Sequence, residues 1–471
     1  MSTVSILGII VFLFHLSGVA AAIDAIWRAR TPQGAVAWAV LLVVFPYLAL
    51  IPYFMFGSNR FESYVKARRD ERNEVSHRIG DLPWRALISE QGDQGLPAAA
   101  KLTQMPMIGG NDVRLLINSD ATFDAMFDAI DHARYQIVVE FFTIVEDELG
   151  QQLFEKLLAR AADGVDVMVL CDGVGSYGLK HSTLERLRQG GIKAHKFVTS
   201  SGIGFNRFQV NFRNHRKLVV VDSERAFVGG LNISNLYTGK EPPLSPWRDT
   251  HIELRGPIIN CLHYSFAEDW YWSTKQLPEL RMVDIEAVGS MKCQALPTGP
   301  ADGHDICVMQ LLELIGRATR RIWLSTPYLV PDDAVFAALQ LAVNRGVDVR
   351  ILVPGQADHQ MVFFASCLFM RRAFRSGMRV YNYRHGFVHQ KVWLVDDDYA
   401  VVGSANLDNR SMRLNFELMV ATFDSGFAAE VEQMLLHDFY ESRELTQQVL
   451  DQVPRWRQIG SRLANLVAPV L

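Results

Sequence analysis

Two short stretches of this chain carry the same reactive side chains in the same order. The first runs His215-Arg-Lys217, then Asp222, then Gly229-Gly230-Leu-Asn232. The second runs His389-Gln-Lys391, then Asp396, then Gly403-Ser404-Ala-Asn406. In each, the asparagine follows the histidine by 17 residues (232 − 215 and 406 − 389). One His-x-Lys carries no information, but two full copies 174 residues apart (389 − 215) predict a single site built from two similar halves. Alternation along a strand puts His215 and Lys217 on one face, and His389 and Lys391 on another. The glycines let backbone approach closely before Asn232 and Asn406. Two such faces brought together surround one point with paired imidazoles, ammonium groups and amides.

That set suits transfer at a phosphodiester, whose negative charge repels nucleophiles and whose alkoxide leaves poorly. Lys217 and Lys391 supply positive charge to the phosphate oxygens, and Asn232 and Asn406 add amide donors. One neutral histidine can attack phosphorus to form a phosphohistidine. The other, protonated, gives its proton to the departing alkoxide, worth about 10²–10⁴ in rate, and then serves as base for the incoming hydroxyl. The expected chemistry uses no metal and no cofactor. The chain has no Gly-Lys-Ser/Thr phosphate loop, which argues against a nucleotide-driven ligase. His385 and His389 stand four apart, but Gly386 and the strand context argue against a helical metal pair.

The elements that must position these residues read as α/β. Val113–Ile117, Gln136–Phe142 and Val165–Cys171 are expected as buried strands, with helices over Phe123–Ala133 and Leu153–Ala162. The order returns with Met309–Ala318, Arg321–Ser325, Ala334–Asn344 and Val347–Val353. Gly346-Val-Asp-Val echoes Gly164-Val-Asp-Val, and with the duplicated motif this marks an internal repeat. The expected halves are 112–290 and 291–471.

A length of 471 residues suits two or three domains. A net charge of −4 gives no whole-chain footprint for nucleic acid, so none is expected as a partner. Five cysteines without a Cys-x-x-Cys pair fit neither a disulfide framework nor a zinc site and favour a reducing compartment. The apolar excess lies at the N-terminus. Val4–Ala22 and Ala35–Phe56 are uncharged stretches of 19 and 22 residues (22 − 4 + 1 and 56 − 35 + 1), each able to cross roughly 30 Å of hydrocarbon. Met-Ser-Thr-Val lacks the positive start of a signal peptide, so residues 1–58 read as a transmembrane hairpin. Residues 59–111 read as a juxtamembrane helix and linker. The loop holds Arg28 and Arg30, whereas Arg60, Lys66, Arg68, Arg69 and Arg72 follow the second segment. That bias places the termini and catalytic body on the cytoplasmic side.

The duplicated set resembles the paired HKD motifs of the phospholipase D superfamily. Finer matches look like the bacterial cardiolipin synthases: Asn211-Phe-Arg213-Asn214-His215, Trp247-Arg248-Asp249-Thr250, Ser325-Thr-Pro327-Tyr328 and Gly403-Ser404-Ala-Asn406-Leu-Asp408-x-Arg410-Ser411. The resemblance covers nearly the whole chain. It implies two similar α/β/α halves forming one catalytic unit behind the membrane hairpin. It also implies transfer of a phosphatidyl group between two phosphatidylglycerol molecules at a bacterial inner membrane, with release of glycerol. The alternative is a membrane-anchored phospholipase D that uses water or another alcohol. The resemblance assigns attack to His215 and acid–base work to His389. It points to Asp249 as the carboxylate orienting His215 and Glu417 as that orienting His389, and it gives Asp222 and Asp396 a role in shaping the motif. The expected partners are phosphatidylglycerol and the lipid bilayer, and a homo-oligomer is compatible with the sequence. Two further segments, Met361–Phe374 and Trp456–Leu471, combine apolar residues with arginines and read equally as packed helices or as membrane-surface elements.

Overall fold

The computed structural model describes residues 3–28, 32–54, 95–198, 212–240, 242–281, 285–300, 302, 304–452 and 454–465. The expected juxtamembrane helix after residue 58 and the end of the apolar tail after Asn465 lie outside the described residues. The chain divides into two units, Met1–Asp70 with Val198–Phe212, and Glu71–Phe197 with Arg213–Leu471.

In the first unit, helix Thr3–Arg28 contains a 21-residue apolar stretch, Leu7–Trp27. At about 1.5 Å per residue it is long enough to cross a bilayer. The second apolar segment is not the single 22-residue helix expected from its composition. It forms helices Pro32–Val44 and Pro46–Pro52, interrupted at Phe45, whose φ of −129° and ψ of 57° are not helical. Pro46 is the cause: it has no N–H to donate and its ring crowds the preceding residue out of the helical region. The 13-residue piece reaches only about 20 Å. Small residues let these helices pack closely. A Cβ on Gly18 would sit 2.3 Å from the Leu42 carbonyl oxygen, and Ala21, Ala22 and Ala25 are buried with Leu42 and Tyr53.

The second unit is built on one sheet whose strands repeat in two sets. The first set is β1 (Met107–Ile117), β2 (Gln136–Phe141), β3 (Asp166–Asp172), β4 (Lys193–Phe197), β5 (Lys217–Val221), β6 (Arg225–Gly229) and β7 (Thr250–Arg255). The second is β8 (Met291–Thr298), β9 (Arg321–Ser325), β10 (Asp348–Pro354), β11 (Arg379–Tyr383), β12 (Val392–Val395), β13 (Tyr399–Gly403) and β14 (Asn415–Phe423), with β15 (Ser442–Glu444) at one edge. Across the sheet they lie in the order β15-β11-β10-β9-β12-β13-β14-β8-β1-β7-β6-β5-β2-β3-β4. The order read inward from either end is the same, apart from β15. In both halves the strand that begins at or just after the lysine is antiparallel to its neighbours, while β2-β3-β4 and β9-β10-β11 are parallel.

The halves meet at β1 and β8. Met107 and Ile108 pair with Gln294 and Cys293, and after an irregularity the same strand pairs with β7, from Asp112 opposite Arg255 to Ile117 opposite Thr250. The strand therefore starts at Met107, inside the residues expected to be linker. Gly109-Gly110, with Gly110 at φ 82°, breaks the two-residue alternation and hides the first part of the strand from a sequence reading. Helices also begin earlier than their apolar periodicity implies. Asp147 caps Glu148–Ala162 by accepting from Gly150 N, and Asp332 caps Asp333–Asn344 by accepting from Ala334 N.

Each motif strand ends in a turn made by its aspartate. Asp222 (φ 55°) accepts hydrogen bonds from the backbone N–H groups of Arg134, Tyr135 and Gln136 at 2.7–2.8 Å. Asp396 (φ 51°) accepts from Thr319, Arg320 and Arg321. Each carboxylate thus ties a lysine-bearing strand to the start of its neighbour. They sit about 17 Å along the strand from the lysines, far from the reacting centre. Replacing Asp222 with alanine leaves three N–H groups without an acceptor and puts alanine at a positive φ. A loss of about 2–3 kcal/mol is expected in urea unfolding of the detergent-solubilised chain.

Candidate active site

The site is formed where the two halves lace through each other. Arg213–Asn214, just ahead of β5, pairs in parallel with Asn415–Phe416 at the start of β14. Trp247–Arg248, just ahead of β7, pairs in parallel with Phe387–Val388, just ahead of β12. In consequence His215 N donates to Phe416 O at 2.9 Å, and His389 N donates to Arg248 O at 2.8 Å. Phe387 of the second half is buried in the apolar core of the first.

This lacing corrects the expected carboxylate assignment, which paired each histidine with the acid of its own half. The structure pairs them the other way. His215 Nδ1 lies 2.9 Å from Glu417 Oε2, and His389 Nδ1 lies 2.7 Å from Asp249 Oδ2. The residue just before each carboxylate is the one whose carbonyl receives the opposite histidine's N–H, so backbone register delivers the side chains to each other. A neutral imidazole donating from Nδ1 keeps the Nε2 lone pair free.

The two carboxylates are held differently. Glu417 also accepts from Ser404 Oγ at 2.6 Å and Asn415 Nδ2 at 3.1 Å. Asp249 accepts from Thr250 N at 2.8 Å, and a Cβ on Gly230 would fall 2.1 Å from its Oδ1. The difference between Gly230 and Ser404 in the two motifs therefore has a structural counterpart: glycine makes room for one carboxylate, and serine donates to the other.

Lys217 and Lys391 lie behind the histidines and are fully buried, at 0% and 1% exposure, whereas His215 and His389 keep 9% and 7%. Lys217 Nζ donates to His215 O at 2.7 Å. Lys391 Nζ donates to His389 O and stands 3.0 Å from His389 Nε2. Asn232 Nδ2 donates to the Tyr237 hydroxyl at 2.8 Å and its Oδ1 accepts from Thr143 N. Asn406 Nδ2 reaches Asp408 Oδ2 at 3.3 Å, and its buried Oδ1 has no partner among the described residues. Tyr237 was not singled out from the sequence. It packs 5.9 Å from the His389 ring and holds Asn232, and its only signal was its position five residues after that asparagine.

Burial dominates the titration of these groups. It lowers both histidines to about 4, with Glu417 opposing this at His215 and Lys391 adding to it at His389. Burial also lowers Lys217 to about 7 and Lys391 to about 8, against the pull of the nearby carboxylates. Asp249 and Glu417 are held below the usual carboxylate range despite burial, because the histidines and lysines favour their charged forms. The empty site thus carries two ionised carboxylates, neutral imidazoles and two lysines that hold their protons weakly. An anion placed between the lysines favours the protonated form of all four bases and so opposes the burial that depresses them.

Two buried guanidinium groups brace the lacing. Arg216 donates from Nε to Glu417 O and from Nη1 to Asp269 Oδ2. Arg248 grips Asp438 with two hydrogen bonds of 2.8 and 2.9 Å across the halves. Gln390, at the position equivalent to Arg216, donates to the same Asp438 and accepts from Thr250.

Residues 126–241 and 311–439 match a family described as "Cardiolipin synthase, PLD-like domain", and residues 18–58 match one described as "Phospholipase_D-nuclease N-terminal". The chain is 51% identical to cardiolipin synthase A of Pseudomonas aeruginosa LESB58, over 100% of this chain and 97% of that protein. It is 50% identical to cardiolipin synthase A of Pseudomonas putida KT2440, over 98% of each. Among solved structures, phosphatidylserine synthase of Haemophilus influenzae Rd KW20 matches with a TM-score of 0.62 at 16% identity, covering 80% of this chain and 100% of that one. This last likeness is one of fold.

The exchanged pairing has a direct readout. Glu417→Gln removes the anion that favours the His215 cation, so the His215 pKa falls further while that of His389 stays put; Asp249→Asn does the converse. Histidine-selective ¹⁵N NMR titration distinguishes the two, and a shift at the same-half histidine would contradict the pairing. The pH profile of kcat/KM reports the free enzyme. With one histidine needed neutral and the other protonated, it should be highest near about pH 4, fall on either side, and fall more steeply above about pH 7 as Lys217 loses its proton.

Proposed function

Because the chain belongs to the cardiolipin synthase family of the phospholipase D superfamily, we propose that it transfers a phosphatidyl group from one phosphatidylglycerol to a hydroxyl of another, giving cardiolipin and glycerol. The observation that carries this reading is the pair of histidine–carboxylate couples, each flanked by a buried lysine. One phosphodiester is exchanged for another, so the reaction needs no nucleotide.

In this reading the donor phosphate sits between Lys217 and Lys391, and its charge raises the basicity of both histidines above that of the empty site. His389 takes up a proton on binding. His215 Nε2 attacks phosphorus, and the bond to the glycerol oxygen breaks as His389 delivers its proton to that oxygen. Glycerol leaves, and phosphorus is held on His215 as a phosphoramidate. His389, now neutral, accepts the proton of a hydroxyl on the second phosphatidylglycerol, whose oxygen attacks phosphorus and releases His215. Glu417 and Asp249 stabilise the imidazolium forms at each stage. Asn232 and Asn406 contribute amide donors to the phosphate oxygens once substrate displaces their present partners. Water competes with the lipid hydroxyl, so the near-complete burial of the lysines and the confinement of both lipids to one surface favour transfer.

The reading extends to location. Helix Thr3–Arg28 and the broken second segment anchor the chain in a bacterial inner membrane as a two-pass hairpin, with the positive cluster after residue 58 holding the catalytic body on the cytoplasmic side.

Purified protein supplied with phosphatidylglycerol micelles, EDTA and no nucleotide should make cardiolipin and glycerol in equal amounts. His215→Ala and His389→Ala should each lower the rate by more than about 10³-fold. Phosphatidic acid as the main product would make water the acceptor and the chain a phospholipase D. Acid-labile ³²P from labelled donor should be trapped on the wild type but not on His215→Ala; trapping lost only in His389→Ala would exchange the two roles.

A further inference from the structure

A second cavity lies in the second half, away from the histidines. It has a volume of about 530 Å³ and opens between helix Gln360–Arg375, helix Arg455–Asn465 and the strands β11 and β15. None of its lining residues belongs to the histidine–lysine site. Five arginines line it: Arg371, Arg375, Arg443, Arg457 and Arg462. No aspartate or glutamate does. None of the five forms an ion pair with a described carboxylate; Arg371 has only a 3.3 Å hydrogen bond to Gln458. This differs from the arginines nearby, since Arg379 pairs with Glu444 and Arg413 with Asp305 and Asp332. Five like charges gathered without a counter-ion create a strong local potential for an anion.

The rest of the wall is apolar. Phe363, Phe364, Leu368 and Met370 come from one helix, and Leu445 and Leu450 from the segment after β15. On the same helix as Arg457 and Arg462, Trp456 and Ile459 remain 61% and 59% exposed, and the Trp456 ring stands 6.2 Å from that of Phe364, which lines the cavity. Exposed tryptophan and isoleucine interleaved with arginine on one short helix is the composition of an element lying in a headgroup layer. A nucleotide or free phosphate would satisfy the arginines but leave this apolar wall unused.

We propose that this cavity holds one acidic phospholipid of the bilayer as a docking ligand distinct from the two lipids at the reacting centre. Its phosphate is received by the arginines, and the start of an acyl chain lies along Phe363, Phe364 and Leu450. The volume suits a glycerophosphate headgroup with the first part of the chains, so the remainder stays in the membrane. Occupancy seats the second half on the surface that supplies its substrates, and couples that seating to the acidic-lipid content of the membrane.

Trp456 reports on the site. The full chain in neutral detergent is titrated with phosphatidic acid brominated in its acyl chains. The Trp456 signal is the difference between the wild type and Trp456→Phe. Saturable quenching is expected, with half-saturation raised about tenfold in the double variant Arg443→Glu, Arg462→Glu, equivalent to about 1.4 kcal/mol. Arg443→Lys with Arg462→Lys should stay within about threefold, and the charge-reversed variant should still form cardiolipin in micelles, which separates loss of the site from misfolding. Equal quenching by brominated phosphatidylcholine, or none of the expected shift on charge reversal, would overturn the proposal. Displacement of the brominated lipid by inorganic phosphate as readily as by unbrominated phosphatidic acid would make this a site for free anions instead.

Discussion

The two hydrogen bonds from His215 to Glu417 and from His389 to Asp249 are the constraint around which the second unit is organised. Each joins a histidine to a carboxylate about 140 or 202 residues away in sequence, and each demands that a segment of one half run beside a strand of the other. The short parallel pairings of Arg213–Asn214 with β14 and of Trp247–Arg248 with Phe387–Val388 meet that demand. So do Arg248 on Asp438 and Arg216 on the Glu417 carbonyl, which are buried and bridge the halves. The unbroken sheet through β1 and β8 sets the register in which these contacts meet. Neither half contains a complete site.

The electrostatics follow from the same geometry. Four basic groups are buried against two carboxylates, and burial lowers the proton affinity of every one of the bases. A site left in this condition stabilises an incoming phosphodiester twice: directly by charge, and indirectly by restoring to the histidines the basicity that catalysis uses. The symmetry is not complete. Ser404 and Asn415 share the charge of Glu417, while Asp249 has a backbone donor and a glycine beside it. Lys391 reaches the ring of its own histidine as well as its carbonyl, while Lys217 donates to the His215 carbonyl. Two near-identical motifs therefore present chemically distinct imidazoles, as a reaction with one nucleophile and one acid requires.

Much of this was legible in the residues. Repeated spacing exposed the two halves and their reactive sets, because a catalytic strand tolerates little variation in which faces its side chains take. The aspartates at 222 and 396 illustrate a subtler point: they recur with the motif since the turn needs a side chain that accepts three N–H bonds at a positive φ, not because they meet substrate. What escaped were features set by tertiary register. The exchange of carboxylates could not be read from proximity in sequence, since the parallel pairing that causes it involves stretches of two residues. The start of β1 is masked by the Gly109-Gly110 irregularity, and the composition of the second apolar segment does not reveal that a single proline at 46 decides its continuity.

The exchanged pairing also bears on how the chain is made. A ribosome releases the first half well before Glu417 and His389 exist, and domains tend to fold as they emerge. That early half presents His215 without its carboxylate partner and Asp249 without its imidazole. Both couples are complete only once β14 is in place, so the site is assembled late in synthesis.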